Sequence, residues 1–289
     1  MLYSILTFIC WGTADLFYKK GNITEGNYNE LKTGIIVGLV MGLHATIYIL
    51  VKNISLNIME LIKYLPVSLC YITSMIISYK GFKYIELSLA SPIENTSGVI
   101  TSLLLIIFFK EKLPILAYFG MIFVLIGILM ISIIEKKEDR HITIKKINIL
   151  IIIFPLLYCF LDGIGTFLDA IYLDKLTLIS EDSALICYEY TFLIYAIITY
   201  IFLKIKKEKL VLTKEKNKVL AAILETAGQF FYVFAMAINS TISATIVGSY
   251  CILSLILSHI FLKEKLSEQK YVALIIALSG LLILTILDI

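Results

Sequence analysis

Charge is scarce in this 289-residue sequence. Asp, Glu, Lys and Arg make up 16% of it against 60% for hydrophobic residues, and the mean hydropathy is +0.93. Soluble chains carry roughly 25% charged and 45–50% apolar residues, so a water-facing globule is excluded and most of the outer surface needs lipid as its solvent. Metal-like spacing is missing too. The five cysteines (Cys10, Cys70, Cys159, Cys187 and Cys251) all stand inside apolar runs and read as small core residues with free thiols. The first apolar run, Leu2 to Tyr18, lacks the basic start and small-x-small cleavage site of a signal peptide, and it carries Asp15 with Lys19 and Lys20 behind it. It reads as a first span. A formal charge of only +3, with Lys and Arg lying between apolar runs, argues against a nucleic-acid partner. Neither His-Glu-x-x-His nor Gly-x-Ser-x-Gly occurs, so two strings that would mark catalysis within lipid are absent. No metal and no cofactor are expected.

What the sequence does hold is long apolar runs. About 20 apolar residues cross a bilayer as a helix, and hydropathy divides the chain into ten such runs: 2–19, 31–51, 61–79, 85–109, 114–134, 148–172, 183–203, 219–237, 243–262 and 269–287. Backbone groups in lipid must bond within their own segment, and the runs lack the alternation of a barrel, so the spans are helices. The expected fold is an all-α integral membrane protein. The connections are short and basic. The longest charged ones, 135–147 and Lys204 to Lys218, belong in water or against headgroups.

The sequence repeats itself. Phe109-Lys110-Glu111-Lys112-Leu113 returns as Leu262-Lys263-Glu264-Lys265-Leu266, an offset of 153, and at the same offset Gly127 falls on Gly280. At an offset of 154, Asp15-Leu16-Phe17-Tyr18 falls on Asp169-Ala170-Ile171-Tyr172. The chain divides into a first five-helix repeat (1–134), a basic central loop (135–147) and a second five-helix repeat (148–289). Five is odd, so the second repeat must enter the membrane upside down. Ten transmembrane helices in two inverted repeats, with a site between them, is a construction shared by many secondary transporters.

The residues also carry a likeness. Trp11-Gly12 in the first span, Ala90-Ser91-Pro92 in the fourth, the following Leu103 to Phe109, the Lys-Glu-Lys-Leu turn and Gly127 resemble the drug/metabolite transporter superfamily, in particular its EamA branch. The turn and the glycine recur after the ninth run, and the resemblance covers the whole chain. It implies five plus five helices, transport of small metabolites, no bound cofactor and no enzymatic activity. Thr245 stands where the repeat would place Pro92, so a symmetric helix break is not expected there. The loops on the side of both termini hold Lys52, Lys63, Lys110, Lys112 and Lys175, and the remaining 20 of the 25 Lys and Arg lie opposite. By the positive-inside rule the termini face outward; the resemblance implies the reverse.

Ionisable groups at membrane depth cost roughly 2.5–3.5 kcal/mol each on insertion scales, yet the runs contain Asp15, Glu94, Asp162, Asp169, Glu189 and Glu225, together with His44 and His259. No Lys or Arg lies deep in a span to pair with them, so the acids must be protonated, hydrated or awaiting a positive ligand. Glu94, with Asn95 beside it, follows Pro92 in the fourth run, and Asp162 lies mid-run beside Gly163 and Gly165. Glu225 shares a helical face with Gln229 and Tyr232, and Glu189 lies between Tyr188 and Tyr190. Asp15 and Asp169 lie nearer helix ends, where water is easier to reach, in positions fitting paired gates. Any one acid alone reads equally as a packing carboxyl; Glu94 and Asp162 are the favoured functional pair. Trp11, Tyr71, Tyr188, Tyr190, Phe230, Phe231, Tyr232 and Tyr250 are candidate lining rings, since an aromatic face attracts cations by roughly 0.5–2 kcal/mol. His44 reads as a core histidine or a proton relay.

These residues fit a secondary transporter of a small cationic or zwitterionic metabolite, amine or amino-acid-like, working by alternating access and coupled to protons. The alternatives are an intramembrane enzyme, which lacks its motifs, and a passive channel or membrane scaffold, which leaves six acids without a reason. The expected partners are a small-molecule substrate, the lipid bilayer and protons, with the chain acting as a monomer or homodimer. The short loops suit a prokaryotic cytoplasmic membrane.

Overall fold

A computed structural model of the chain describes residues 2–22, 27–55, 57–81, 94–110, 112–138, 149–262 and 266–287. Among these residues there is no strand, and ten α-helices follow one another: α1 (Leu2–Asn22), α2 (Asn29–Lys52), α3 (Ile58–Gly81), α4 (Ser97–Phe109), α5 (Ile115–Glu138), α6 (Ile149–Ala170), α7 (Glu181–Ile205), α8 (Lys216–Val247), α9 (Cys251–Leu262) and α10 (Glu268–Leu287). Six segments, Asn29–Lys52, Ile58–Ser78, Ile153–Lys175, Glu181–Ile205, Lys216–Val247 and Glu268–Leu287, are long and apolar enough to cross a membrane. The all-helical expectation holds. Ala90, Ser91, Pro92 and His141 lie outside the described residues.

Helix boundaries follow local chemistry. Ser180 caps α7, accepting the Ser183 backbone N–H at 3.2 Å, and Glu181 and Asp182 fill the first turn, where the helix dipole favours negative charge. The hydropathy gap expected between 237 and 243 is not a loop: α8 runs through it and bends at Asn239 (φ −155°, ψ 86°). There the Asn239 side chain accepts the Ile242 N–H at 3.2 Å, while Asp174 accepts both the N–H (3.0 Å) and the hydroxyl (2.6 Å) of Ser240. Asn239 thus acts as an internal N-cap that lets the helix restart in a new direction. After Val247 the chain breaks again over Gly248–Tyr250 before α9, and Asn95–Thr96 break it in the same way before α4. The second half therefore has its break without a proline.

Packing places the breaks at the centre. α1 packs on α8, α3 on α6, α2 on α7 and α5 on α10, a set of pairings that maps onto itself when the first five helices are exchanged for the last five. One apolar core joins α1, α2, α3, α6, α7 and α8 through residues such as Ala14, Met41, Tyr64, Ala170, Leu185 and Val233. A second joins α4, α5, α9 and α10 through Val99, Val124, Ile252 and Ala277. Small residues set the closest contacts, as expected where helices pack in lipid. A Cβ on Gly98 would lie 2.2 Å from the Ala244 carbonyl oxygen and 2.9 Å from the Gly248 Cα, so the two broken segments touch backbone to backbone.

Candidate functional site

Beside that contact lies a cavity of about 100 Å³. Its wall is built from α1 (Trp11, Asp15, Tyr18), α3 (Tyr71, Met75, Ser78), the turn before α4 (Glu94, Asn95), α4 itself (Ser97, Gly98), α6 (Tyr158, Asp162, Thr166), α7 (Tyr188), α8 (Glu225, Gln229, Tyr232, Ala244, Val247) and the second turn (Gly248, Tyr250). Both halves contribute. Four of the side chains are carboxyls, and no Lys, Arg or His among the described residues lines the cavity.

Three of the acids are held by serines. Ser78 donates to Glu94 at 3.0 Å, Ser97 donates to Asp162 at 2.6 Å, and Ser254 donates to Asp15. Tyr158, one turn before Asp162 on the same helix, also bonds that carboxyl. Glu225 accepts no side-chain hydrogen bond among the described residues. Four residues further along the same face, the Gln229 side-chain nitrogen is buried without an acceptor among the described residues. A buried amide of this kind is costly unless something supplies its partner.

Rings close the remaining sides. Trp11 stands 5.1 Å from Tyr232 and 6.0 Å from Tyr250, centroid to centroid, and its indole N–H donates to the Glu225 backbone carbonyl at 3.2 Å. The Tyr71 and Tyr232 hydroxyls meet at 2.7 Å. Carboxyls that face one another across a cavity repel when ionised, and a cation placed among them offsets that repulsion.

Eleven of the residues singled out in the sequence meet here: Trp11, Asp15, Tyr71, Glu94, Asn95, Asp162, Tyr188, Glu225, Gln229, Tyr232 and Tyr250. Four do not. Asp169 is fully buried behind the wall, where Tyr64 donates to it and Tyr71 reaches it at 3.5 Å; it is not the water-accessible counterpart of Asp15. Glu189 is turned away, with the His44 Nδ1 2.8 and 2.9 Å from its two oxygens, so this acid has a basic partner after all, supplied by a histidine. Tyr190 contacts the Thr46 hydroxyl at 3.3 Å. Phe230 and Phe231 line a separate apolar groove with His44. Among the lining residues not anticipated, Tyr158 carried a signal: it stands at the i, i+4 position relative to Asp162. The serines that hold the acids carried none, because their partners lie on other helices.

The EamA-like transporter family model matches this chain twice, over residues 1–133 and 149–286. The chain belongs to the EamA-like transporter family. Members of the family are transporters, and this chain is accordingly a multi-pass membrane transporter of small molecules. A solved structure described as "Crystal structure of protein", one of 28 matching chains of solved structures, aligns with a TM-score of 0.73 over 99% of this chain and 97% of its own, at 12% identity. At that identity the likeness is one of fold. No curated protein matches the chain. In this EamA-like fold the cavity draws on helices from both matched regions, and the first four residues of the stretch expected as a central loop, 135–138, continue α5.

Proposed function

We propose that the chain carries a small cationic or zwitterionic metabolite, amine or amino-acid-like, across a prokaryotic cytoplasmic membrane by alternating access, with the cavity between the two family repeats as the substrate site. All ten helices cross the bilayer, and the second five enter it inverted. What supports this reading is one observation above the rest: four carboxyls and no basic side chain line a cavity ringed by tyrosines and one tryptophan. The substrate's positive group sits among Asp15, Glu94, Asp162 and Glu225, and the rings cover its organic part. When the substrate leaves, protons take its place on the acids, which couples the two movements. The two apolar cores, one joining α1–α3 with α6–α8 and the other joining α4 and α5 with α9 and α10, supply two packed bundles that can rock about the site.

Electrical recording on proteoliposomes tests this, using methylammonium, tetramethylammonium and alanine as probes with and without a pH gradient. Currents from the probes that carry a positive group, lost in Glu94→Gln and in Asp162→Asn, are expected. Full activity in both variants, or signals from anionic compounds alone, would overturn it.

A further inference from the structure

Outside the cavity, the described helices hold a second cluster of ionisable groups, along the seam between α2 and α7. Glu189 is fully buried, and His44, one-third exposed at its side chain, presents Nδ1 to both carboxylate oxygens. That leaves Nε2 as the free ring nitrogen, on a residue that also lines the apolar groove with Val40, Ile47 and Phe230. One turn along α2, the Tyr48 ring lies 5.8 Å from the His44 ring, and the Tyr48 hydroxyl donates to Asp182 at 2.6 Å. Asp182 is in the first turn of α7, so Asp182, Tyr48, His44 and Glu189 form a line running from a helix end to a buried carboxyl. Other ionisable groups at this seam are Lys52, whose ammonium lies 5.8 Å over the Tyr48 ring, and Tyr190 on α7, whose hydroxyl meets that of Thr46; Cys187 on α7 and Glu60 on α3 lie on its flank, and Tyr188 and Tyr71 face the cavity instead. α8 presents Phe230 and Thr226 there.

The seam is also wired to the cavity. Tyr188, the chain neighbour of Glu189, lines the cavity, and its ring lies 5.7 Å from Tyr71. Tyr71 bonds Tyr232, which packs against Trp11. A rotation of α7 that alters the contact between Glu189 and His44 must also move Tyr188.

We propose that His44 and Glu189 form a proton-binding site separate from the substrate cavity, whose occupancy is transmitted to the cavity through Tyr188. This rests on the carrier reading and deepens its proton coupling: the cavity acids exchange substrate for protons, and this pair holds a further proton whose presence sets the position of α7. A carboxyl and an imidazole in contact can take up or release a proton near neutral pH while changing the charge at the helix seam by one.

Two measurements on the full chain in lipid nanodiscs test it. Nitrogen-labelled histidine NMR, with the His44 signal assigned by its loss in His44→Gln, should show the ring changing protonation between about pH 5 and 8, and Glu189→Gln should displace that change. The emission of Trp11, the single tryptophan, should show, beside any response to the cavity acids, a pH component present in the native chain and in Tyr190→Phe and lost in both His44→Gln and Glu189→Gln. A His44 ring that does not titrate, or a Trp11 transition unchanged in those two variants, overturns the proposal. His44 is partly exposed, so its replacement should fold even if Glu189→Gln does not. Neither measurement uses a substrate; failure of all probes to elicit current would remove the carrier reading and leave these two results standing.

Discussion

The Ser97 hydroxyl on α4 donates to the Asp162 carboxyl on α6 at 2.6 Å. Across the molecule, Ser254 on α9 donates to Asp15 on α1. In each case the fourth helix of one half holds the acid on the first helix of the other, so the orientation of two cavity acids depends on the halves staying in register. On the carrier reading, a movement of one apolar core against the other changes what those acids can bind.

Ser97→Ala tests this dependence. Removing a hydroxyl that bonds a charged group forfeits about 1.5–3 kcal/mol, and Asp162 would lose its fixed aim. Tetramethylammonium counterflow should show its half-saturation concentration rising by roughly 10- to 100-fold, and the thermal unfolding midpoint should fall by a few degrees as well. An unaltered half-saturation concentration would show that Ser97 does no more than fill space.

Gly98→Val should act on assembly. The added Cβ would fall 2.2 Å from the Ala244 carbonyl oxygen and 2.9 Å from the Gly248 Cα, and both obstacles are backbone, so neither can rotate away. Overpacking of this kind costs about 1–3 kcal/mol or more. The variant should unfold several degrees earlier in a detergent melt, and a midpoint equal to that of the native chain would contradict the backbone contact.

Gln229→Met separates binding from stability. The Gln229 amide nitrogen is buried without an acceptor among the described residues, and a buried unpaired polar group costs about 1–3 kcal/mol. An apolar side chain of similar length should leave the melt unchanged or raise it, while weakening counterflow of alanine, whose carboxylate is the acceptor the amide lacks. A lowered melt with unchanged alanine counterflow would assign Gln229 to packing instead.

The helical architecture was legible because lipid imposes a single demand, an unbroken apolar run with its backbone satisfied internally, and the composition displays it. Membership of the family was legible in the doubled Lys-Glu-Lys-Leu turn and in the correspondence of Gly127 with Gly280. Asn239 was not, because a cap inside an apolar helix reads as a gap between spans. The acids stood out by type, but not by partner. Hydropathy cannot tell that Glu189 faces His44, 145 residues away in sequence, while the adjacent Tyr188 faces the cavity. Helix rotation decides that, and the close glycine contacts between α2 and α7, where a Cβ on Gly38 would lie 2.3 Å from the Phe192 carbonyl oxygen, help to set the rotation.

Lys218 offers the last test, because the sequence places it in a basic loop in water and the structure does not. Its side chain is 0% exposed, with Nζ 2.7 Å from Glu215 and donating to Asn29 at 3.3 Å. Breaking a buried pair by removing one partner costs about 3–5 kcal/mol, because the remaining charge is left uncompensated, whereas replacing both partners with uncharged groups costs far less. Glu215→Gln alone should therefore lower the melt more than Glu215→Gln combined with Lys218→Met. The Asn29 bond keeps the single-variant loss near the lower end of that range. If the double variant unfolds earlier than Glu215→Gln alone, Lys218 is held by packing along its stem rather than by its charge, and the cation is not the organising feature of this helix start.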